Sequence, residues 1–153
     1  MSAFLTKLVF TTEDGGLPFT LIEPLVYQSD LDGLITVPAG YRTDLASVPR
    51  ALWSLIPPFG RYSGPAVVHD RLCDQGHATR PLADAVFNEA MIVTGVPAAL
   101  RWLMYTAVRI AGQSTWERYR ARDAALARGA RYVESGQRPW LARIVTVEKG
   151  EQL

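Results

Sequence analysis

The pattern of hydrophobic and polar residues changes near residue 47. Before that point, short apolar runs rich in β-forming residues are separated by turn sequences. Pro24 interrupts the second of these runs, which indicates an edge strand or a bulge because proline cannot donate to a ladder. The pattern predicts a small antiparallel β-meander, with strands within residues 4–10, 19–27 and 34–37.

From residue 48 onward, apolar residues recur with helical spacing. Ser63 is placed to cap one helix, and Pro65 is tolerated in its first turn. Gly95 and Pro97 end the next helix. The pattern predicts a short helix over 48–56 and longer helices over 63–73, from 79 to Gly95, over 98–110 and over 115–128.

The fold class predicted from these elements is α+β, a small N-terminal antiparallel β-meander packed on a C-terminal bundle of about four helices. A chain of 153 residues with 48% hydrophobic residues is long and apolar enough for one domain over 1–153. Within it, residues 1–47 are expected to be mainly β and residues 48–130 mainly α. Residues 131–153 are expected to form a tail in which 144–147 return as one strand.

The net charge of +1 hides an asymmetry between the two halves of the chain. Residues 1–75 carry 5 basic and 8 acidic side chains, whereas residues 76–153 carry 11 basic and 7 acidic ones. Seven arginines lie within 98–131, together with two acidic residues. This segment is either a surface for phosphate or lipid, or a solvated helix with salt bridges to its neighbours.

Several function classes are disfavoured by composition. The single cysteine, Cys73, excludes an internal disulfide. No transmembrane segment is expected, because Pro97, Arg101 and Arg109 interrupt the most apolar stretch, residues 91–111. Binding of nucleic acid is not expected either, since the chain is nearly neutral and carries no known binding motif.

An imidazole and two carboxylates mark the candidate site. His69 and Asp70 are adjacent in an apolar helical segment, and Asp84 lies in the next helix. His69 precedes the predicted helix end at Cys73 by four residues, and Asp84 follows the predicted helix start at Thr79 by five. A short connection makes the helices antiparallel, so we expect His69 to face an Asp84 that is at least half buried.

This His69–Asp84 dyad has a defined chemistry. A carboxylate that accepts a hydrogen bond from one ring nitrogen fixes the tautomer and makes the other nitrogen a better base. Asp70 is then left to bind a divalent cation or to orient a substrate, a combination that supports hydrolysis. The alternative is a buried pair that only joins two helices. The other histidine, His77, is predicted to be a plain exposed loop residue.

A second polar cluster lies at 37–50. One interpretation brings Asp44 to the same pocket as His69, as a further carboxylate for the cation. The alternative is that Thr43 or Asp44 caps the short turn that follows. Ser47 would complete a Ser-His-Asp triad with the dyad, but the sequence around it is not a nucleophile elbow, which disfavours that role.

Four sequence blocks resemble those of a family of phage- and prophage-encoded proteins that is classified as a domain of unknown function. They read VPAG at 37–40, TDxASVPR at 43–50, AxxHD at 66–70 and RxxADxxF at 80–87. Arg50 closes the second block and Arg80 opens the fourth. The resemblance covers about residues 35–95. It implies a phage origin and brings no mechanism with it.

The pairing of His69-Asp70 with Asp84 also resembles the core of secreted and parvoviral phospholipases of the A-two class. The resemblance implies that His69 is the base, that Asp70 binds calcium and that Asp84 holds the histidine. Tyr62-x-Gly64-Pro65 is similar to part of the viral calcium loop, although here that loop directly abuts the helix.

The implied cofactor is a divalent cation: calcium, or else zinc or magnesium. Calcium takes six to eight oxygens. Asp70, Asp44 and the carbonyl groups near residues 58–60 are the candidates to supply some of them.

The sequence thus supports a metal-dependent hydrolase that acts on lipid or peptidoglycan of the host cell envelope. The alternative is a non-catalytic virion component, for example in the tail, or an assembly factor. The partners expected are the host envelope or other phage proteins. Residues 1–4 do not read as a signal peptide, so the expected location is the host cytoplasm or the virion.

Overall fold

A computed structural model describes residues 1–12, 18–43, 60–75, 78–127, 131–133 and 143–145. The N-terminal strands are β1 (Ala3–Phe4), β2 (Phe10–Thr12), β3 (Phe19–Leu21), β4 (Leu25–Ser29), β5 (Gly33–Val37) and β6 (Arg42–Thr43). The helices are α1 (Ser63–Gln75), α2 (Arg80–Val93) and α3 (Ala98–Ala127), followed by β7 (Arg131–Val133) and β8 (Arg143–Val145). The predicted α+β class is confirmed.

The N-terminal strands form two three-stranded antiparallel sheets, not one meander. Their orders are β1-β4-β5 and β2-β3-β6. The predicted runs 4–10 and 19–27 each divide between the two sheets, and Pro24 lies at the second division. The β4–β5 hairpin turns at Gly33, whose φ of 74° suits glycine, and the Ser29 hydroxyl accepts hydrogen bonds from two N–H groups of the turn.

Two helical predictions need correction. The segments predicted as separate helices over 98–110 and 115–128 are one helix, α3, which continues through Gly112 and Ser114. A glycine inside a helix costs only about 1 kcal/mol, and the helix-forming residues on both sides offset it. Ser63 is the first helical residue of α1, and its hydroxyl accepts from the Gly60 N–H, so it does not cap the helix.

The C-terminal strand prediction is also partly wrong. A strand at 143–145 overlaps the predicted 144–147 region at residues 144 and 145, but it pairs with a second strand at 131–133 that the pattern did not indicate. Each of these strands has only three residues, which is too short for the alternation of apolar and polar residues to predict it. None of the helices in the described part of the chain is both long and apolar enough to cross a bilayer.

The core has two parts that meet at α1 and α2. The first joins the sheets to α1 and α2 and includes Leu25, Val37, Val67 and Val86. The second lies between the helices and includes Tyr62, Phe87, Met91, Val96 and Met104. Side chains of α2 belong to both parts, and Asp84 on this helix is fully buried.

A hydrogen bond ties the first sheet to α2. Tyr27 is fully buried on β4, and its hydroxyl donates to Glu89 Oε1 at 2.7 Å. Burial and the neighbouring carboxylate raise the pKa of Tyr27 far above its usual value of 10.0. The sheet and the helix pair are therefore joined by a polar contact as well as by the core.

Candidate active site

The predicted dyad is formed. His69 on α1 and Asp84 on α2 approach at 3.0 Å between Nε2 and Oδ1. The two residues are 15 positions apart, and the short connection from Gln75 to Arg80 folds α2 back along α1. The contact follows from where each residue lies on its helix, as the spacing predicted; its chemical role stays a prediction.

Asp84 is held by cationic groups from three helices. Besides His69, its Oδ2 accepts a hydrogen bond from Arg109 Nη1 of α3 at 3.2 Å. Arg80 Nε, one turn away on α2, lies 3.9 Å from the same oxygen. The carboxylate is fully buried, so its charge must be matched inside the protein. These contacts provide that match.

Arg80 also connects the site to α3. Its Nη2 donates to the carbonyl oxygen of Val108 at 3.3 Å and to that of Arg109. Arg80 therefore joins α2 to the segment of α3 that presents Arg109. The sequence blocks included Arg80 but predicted no partner for it, and the structure places it beside Asp84.

The electrostatics of the dyad favour an ion pair. Burial alone would raise the pKa of Asp84, but the hydrogen bond and charge of His69, the hydrogen bond from Arg109 and the charge of Arg80 hold it below its usual 3.8. Burial alone would lower the pKa of His69, but its hydrogen bond to Asp84, together with the contact with Cys73 and the charge of Asp70, raises it to about 10. At neutral pH the pair is an imidazolium facing a carboxylate.

The rest of the imidazole has a mixed environment. The Phe87 ring centroid lies 5.1 Å from that of His69. The Cys73 sulfur lies 3.7 Å from Nε2 and 3.9 Å from Nδ1, within reach of a weak sulfur hydrogen bond to the ring. Because Nε2 is hydrogen-bonded to Asp84, Nδ1 is the ring nitrogen that could transfer a proton to or from a substrate.

Asp70 points to a different partner from its neighbour. Its Oδ2 accepts a hydrogen bond of 2.6 Å from the Thr43 hydroxyl, which links α1 to β6. Thr43 is buried, and it is the last residue that the structure describes before Asp44. The predicted site residues Asp44, Ser47 and Arg50 all lie outside the described residues.

The comparisons with known proteins reach the same part of the chain. A family described as "Protein of unknown function (DUF1353)" matches residues 19–108. The chain belongs to this family. A DUF1353 match over 19–108 includes Thr43, His69, Asp70, Arg80 and Asp84, and it stops one residue before Arg109.

The chain is also similar to a bacterial protein. The chain is 38% identical over 78 residues to "Uncharacterized protein y4jT" of Sinorhizobium fredii (strain NBRC 101917 / NGR234). That match covers 50% of the DUF1353 chain and 23% of the relative, so the chain corresponds to less than a quarter of the relative's length. No solved structure gives a significant match to the chain.

Tyr62 lies in the helical core of this DUF1353 protein. Its side chain is buried, and its hydroxyl has no hydrogen-bond partner among the described residues. Burial raises the pKa of this hydroxyl above its usual 10.0. The loop role that the phospholipase resemblance implies for Tyr62 stays a prediction.

The described carboxylates do not by themselves form a metal site. Within the ranges that the structure describes, no group of three or more His, Cys, Asp or Glu side chains is arranged to hold a metal ion. The predicted divalent cation therefore remains an expectation that depends on Asp44, beyond those ranges.

The arginines of α3 are used for contacts within the protein wherever the structure shows them. Arg109 binds Asp84, Arg101 Nη1 donates to the Val96 carbonyl at 3.3 Å, and Arg120 lies 4.5 Å above the Trp116 ring. Arg109 is the site residue that the sequence did not single out. The signal available was the arginine-rich segment itself, but nothing in the spacing distinguished Arg109 from the other arginines of that segment.

Proposed function

We propose that this protein is a hydrolase in which the His69–Asp84 dyad activates water, and that it is phage-encoded and acts on the host envelope. The observation that supports this most is the 3.0 Å contact between Nε2 and Oδ1 in an asymmetric setting. The Asp84 side chain is 1% exposed, whereas that of His69 is 12% exposed. An orienting carboxylate that is buried beside an imidazole with an accessible edge is the arrangement a general base requires.

Each residue of the site has a distinct role in this proposal. Asp84 accepts a hydrogen bond from Nε2–H and so orients the ring. Nδ1 becomes the base only when a bound cation lowers the pKa of His69 enough for Nδ1 to lose its proton. Arg109 and Arg80 engage the second oxygen of Asp84, so this carboxylate keeps its orientation. Nδ1 takes a proton from water, the hydroxide oxygen adds to a carbonyl carbon, and the same proton returns to the leaving group as the substrate bond breaks.

A divalent cation would be held by Asp70 and Asp44. It would polarise the carbonyl of the substrate and, by charge repulsion, lower the pKa of His69 towards neutrality. The described residues fit this in part: Asp70 offers carboxylate oxygens, and the Thr43 hydroxyl is already 2.6 Å from one of them. Asp44 follows Thr43 directly in the sequence, so the chain can bring a second carboxylate to the same region.

Calorimetric titration with Ca²⁺, Mg²⁺ and Zn²⁺ tests the cation. We expect one of them to bind the wild type, binding to be lost in Asp70→Asn, and binding to persist in the Ser47→Ala control. If none of the three ions binds the folded wild type, the metal-dependent part of the proposal is wrong.

Activity is tested separately on phospholipid vesicles and on purified peptidoglycan. His69→Gln keeps a hydrogen-bond donor for Asp84 but no base, so it should retain the fold by circular dichroism and lose turnover. A wild type that is inactive on both substrates with and without each cation, or a His69→Gln protein that is fully active, would contradict the role of His69.

A non-catalytic virion component or assembly factor is the second candidate. It is favoured by the convergence of His69, Arg80 and Arg109 from three helices on one buried carboxylate, which joins those helices whatever else it does. The genomic neighbours of the gene discriminate between the two roles. A position beside a holin gene supports lysis, and a position among tail genes supports the virion.

A further inference from the structure

The corner between α2 and α3 exposes an apolar surface. We define this corner as residues 92–102. Its large apolar side chains, Ile92, Val93 and Trp102, are 54%, 41% and 70% exposed. Pro97, Ala98 and Ala99 are exposed between them. Single exposed apolar residues are normal on protein surfaces, but a tryptophan grouped with aliphatic residues at one end of a helix pair indicates a contact surface.

Backbone hydrogen bonds cap the C-terminal end of α2 at the corner. The N–H groups of Thr94, Gly95 and Val96 donate to the carbonyls of Ala90, Ile92 and Met91, respectively. Gly95 adopts a φ of 69°, which permits this helix ending, and the side chain of Val96 turns back into the core. The N–H groups of residues 94–96 therefore have partners within the protein, which lowers the cost of bringing this end of α2 close to an apolar phase.

The charges at the corner are basic. Arg61 Nη1 donates to the Gly95 carbonyl at 3.1 Å, and Arg101 Nη1 donates to the Val96 carbonyl at 3.3 Å. The sequence contains no acidic residue between Glu89 and Glu117. Two guanidinium groups therefore flank exposed tryptophan and aliphatic side chains without a nearby acidic residue from α3. This combination is complementary to anionic lipid headgroups above acyl chains.

Trp102 lies on the face of α3 that also carries Arg109. Trp102 and Arg109 are seven residues apart, which places them on the same face of the helix and about 10 Å apart along its axis. Arg109 contacts Asp84 directly. A surface bound through Trp102 would thus lie about two helical turns from the site.

We infer that the α2–α3 corner binds the interface of an anionic phospholipid bilayer. Ile92, Val93 and Trp102 enter the boundary between headgroups and acyl chains, and Arg61 and Arg101 lie at the level of the lipid phosphates. This inference stands on the corner alone and requires no catalytic activity from the dyad.

Vesicle partitioning of the full chain tests the inference. Sedimentation with phosphatidylglycerol–phosphatidylcholine vesicles should show binding that weakens with added salt and is much lower on pure phosphatidylcholine. Trp102→Ala should reduce partitioning by about tenfold. The control is Leu34→Ala, which removes an apolar side chain of similar exposure from β5, away from the corner, and should leave partitioning unchanged.

The charge contribution is measured with Arg61→Gln and Arg101→Gln combined. At about fivefold per arginine, the double variant should lose most of the preference for anionic vesicles. Circular dichroism checks that the helices are retained. Quenching of tryptophan fluorescence by brominated lipids should decrease in Trp102→Ala and remain unchanged in Leu34→Ala.

Three results would overturn the inference. The first is that the wild type does not partition into phosphatidylglycerol vesicles at any lipid concentration tested. The second is that Trp102→Ala and Leu34→Ala partition alike. The third is self-association of the wild type in sedimentation velocity that Trp102→Ala abolishes while lipid binding stays intact, since that would make the corner an interface between proteins.

Discussion

The sharpest prediction concerns Asp84→Asn. The substitution keeps the volume of the side chain, so it creates no cavity, but it removes the negative charge that faces His69 and Arg109 at 3.0 and 3.2 Å. Removing one partner of a fully buried ion pair costs about 3–5 kcal/mol. Here His69 can lose its proton and Arg109 is 47% exposed and can turn into solvent, so we expect about 3 kcal/mol.

This loss has a measurable size. In a chain of this length 1 kcal/mol corresponds to about 2–4 °C in Tm, so Asp84→Asn should lower Tm by about 6–12 °C. The assay is thermal and urea unfolding followed by circular dichroism at pH 7. The control is Asp30→Asn, which removes an exposed carboxylate paired with the N-terminus and should leave Tm unchanged.

The relative stability of Asp84→Asn and His69→Ala tests whether the arginines share the charge of Asp84. In His69→Ala, Asp84 still has Arg109 and Arg80, so the loss should be smaller, about 1–3 kcal/mol. If Asp84→Asn is no less stable than Asp30→Asn, the carboxylate is not the buried centre described here. If His69→Ala is the more destabilised of the two dyad variants, the arginines do not share the charge of Asp84.

The raised pKa of His69 stabilises the folded protein; this stabilisation is complete below pH 6.5 and is lost as the pH rises through about 10. The urea concentration at the unfolding midpoint should therefore fall between pH 6.5 and about 10, and it should fall more steeply in the wild type than in His69→Gln. The lowered pKa of Asp84 gives a stabilisation that is present above pH 3.8 and lost as the pH falls through its lower folded value, so acid unfolding of Asp84→Asn should depend less on pH. Thr43→Val should destabilise the protein by about 1–2 kcal/mol, because Asp70 loses the hydrogen bond of 2.6 Å from the Thr43 hydroxyl. The control is Thr20→Val on β3, which should change stability little. Equal stability of the two threonine variants would show that the hydrogen bond to Asp70 contributes nothing.

The contact between His69 and Asp84 could be predicted because it is local. His69 precedes the end of α1 by six residues and Asp84 follows the start of α2 by four, and a short connection leaves few ways for those helices to pack. The pattern also identified Asp84 as buried, since it borders an apolar stripe on α2. Local geometry of this kind is encoded in spacing, and spacing can be read without coordinates.

The contacts that were not predicted are those between distant segments. Arg109 is 25 residues from Asp84, and Thr43 is 27 residues from Asp70. No periodicity links such pairs, because the packing of whole elements brings them together. The same reason applies to the strands: residues 3–4 pair with 27–28 and residues 10–12 with 19–21, so one predicted meander separates into two sheets.

The single helix α3 shows how a local signal can mislead. Gly112 and Ser114 are typical of a helix end followed by a new cap, and the pattern therefore predicted a break. The structure continues through both residues. One unfavourable residue of about 1 kcal/mol does not end a helix when the turns on both sides favour it.

The arrangement around Asp84 bears on whether the dyad is only structural. A buried carboxylate needs its charge matched, and Arg80 and Arg109 already supply two positive charges from α2 and α3. His69 adds a third cationic group, which the neutralisation of Asp84 does not require, and it does so at the partly exposed edge of the site. A group that only joined helices would need the hydrogen bond but not the titratable ring. His69→Gln separates these functions, because it keeps a donor for Asp84 and removes the base: retained stability with lost turnover assigns His69 to chemistry, whereas unchanged activity leaves it as a link between α1 and α2.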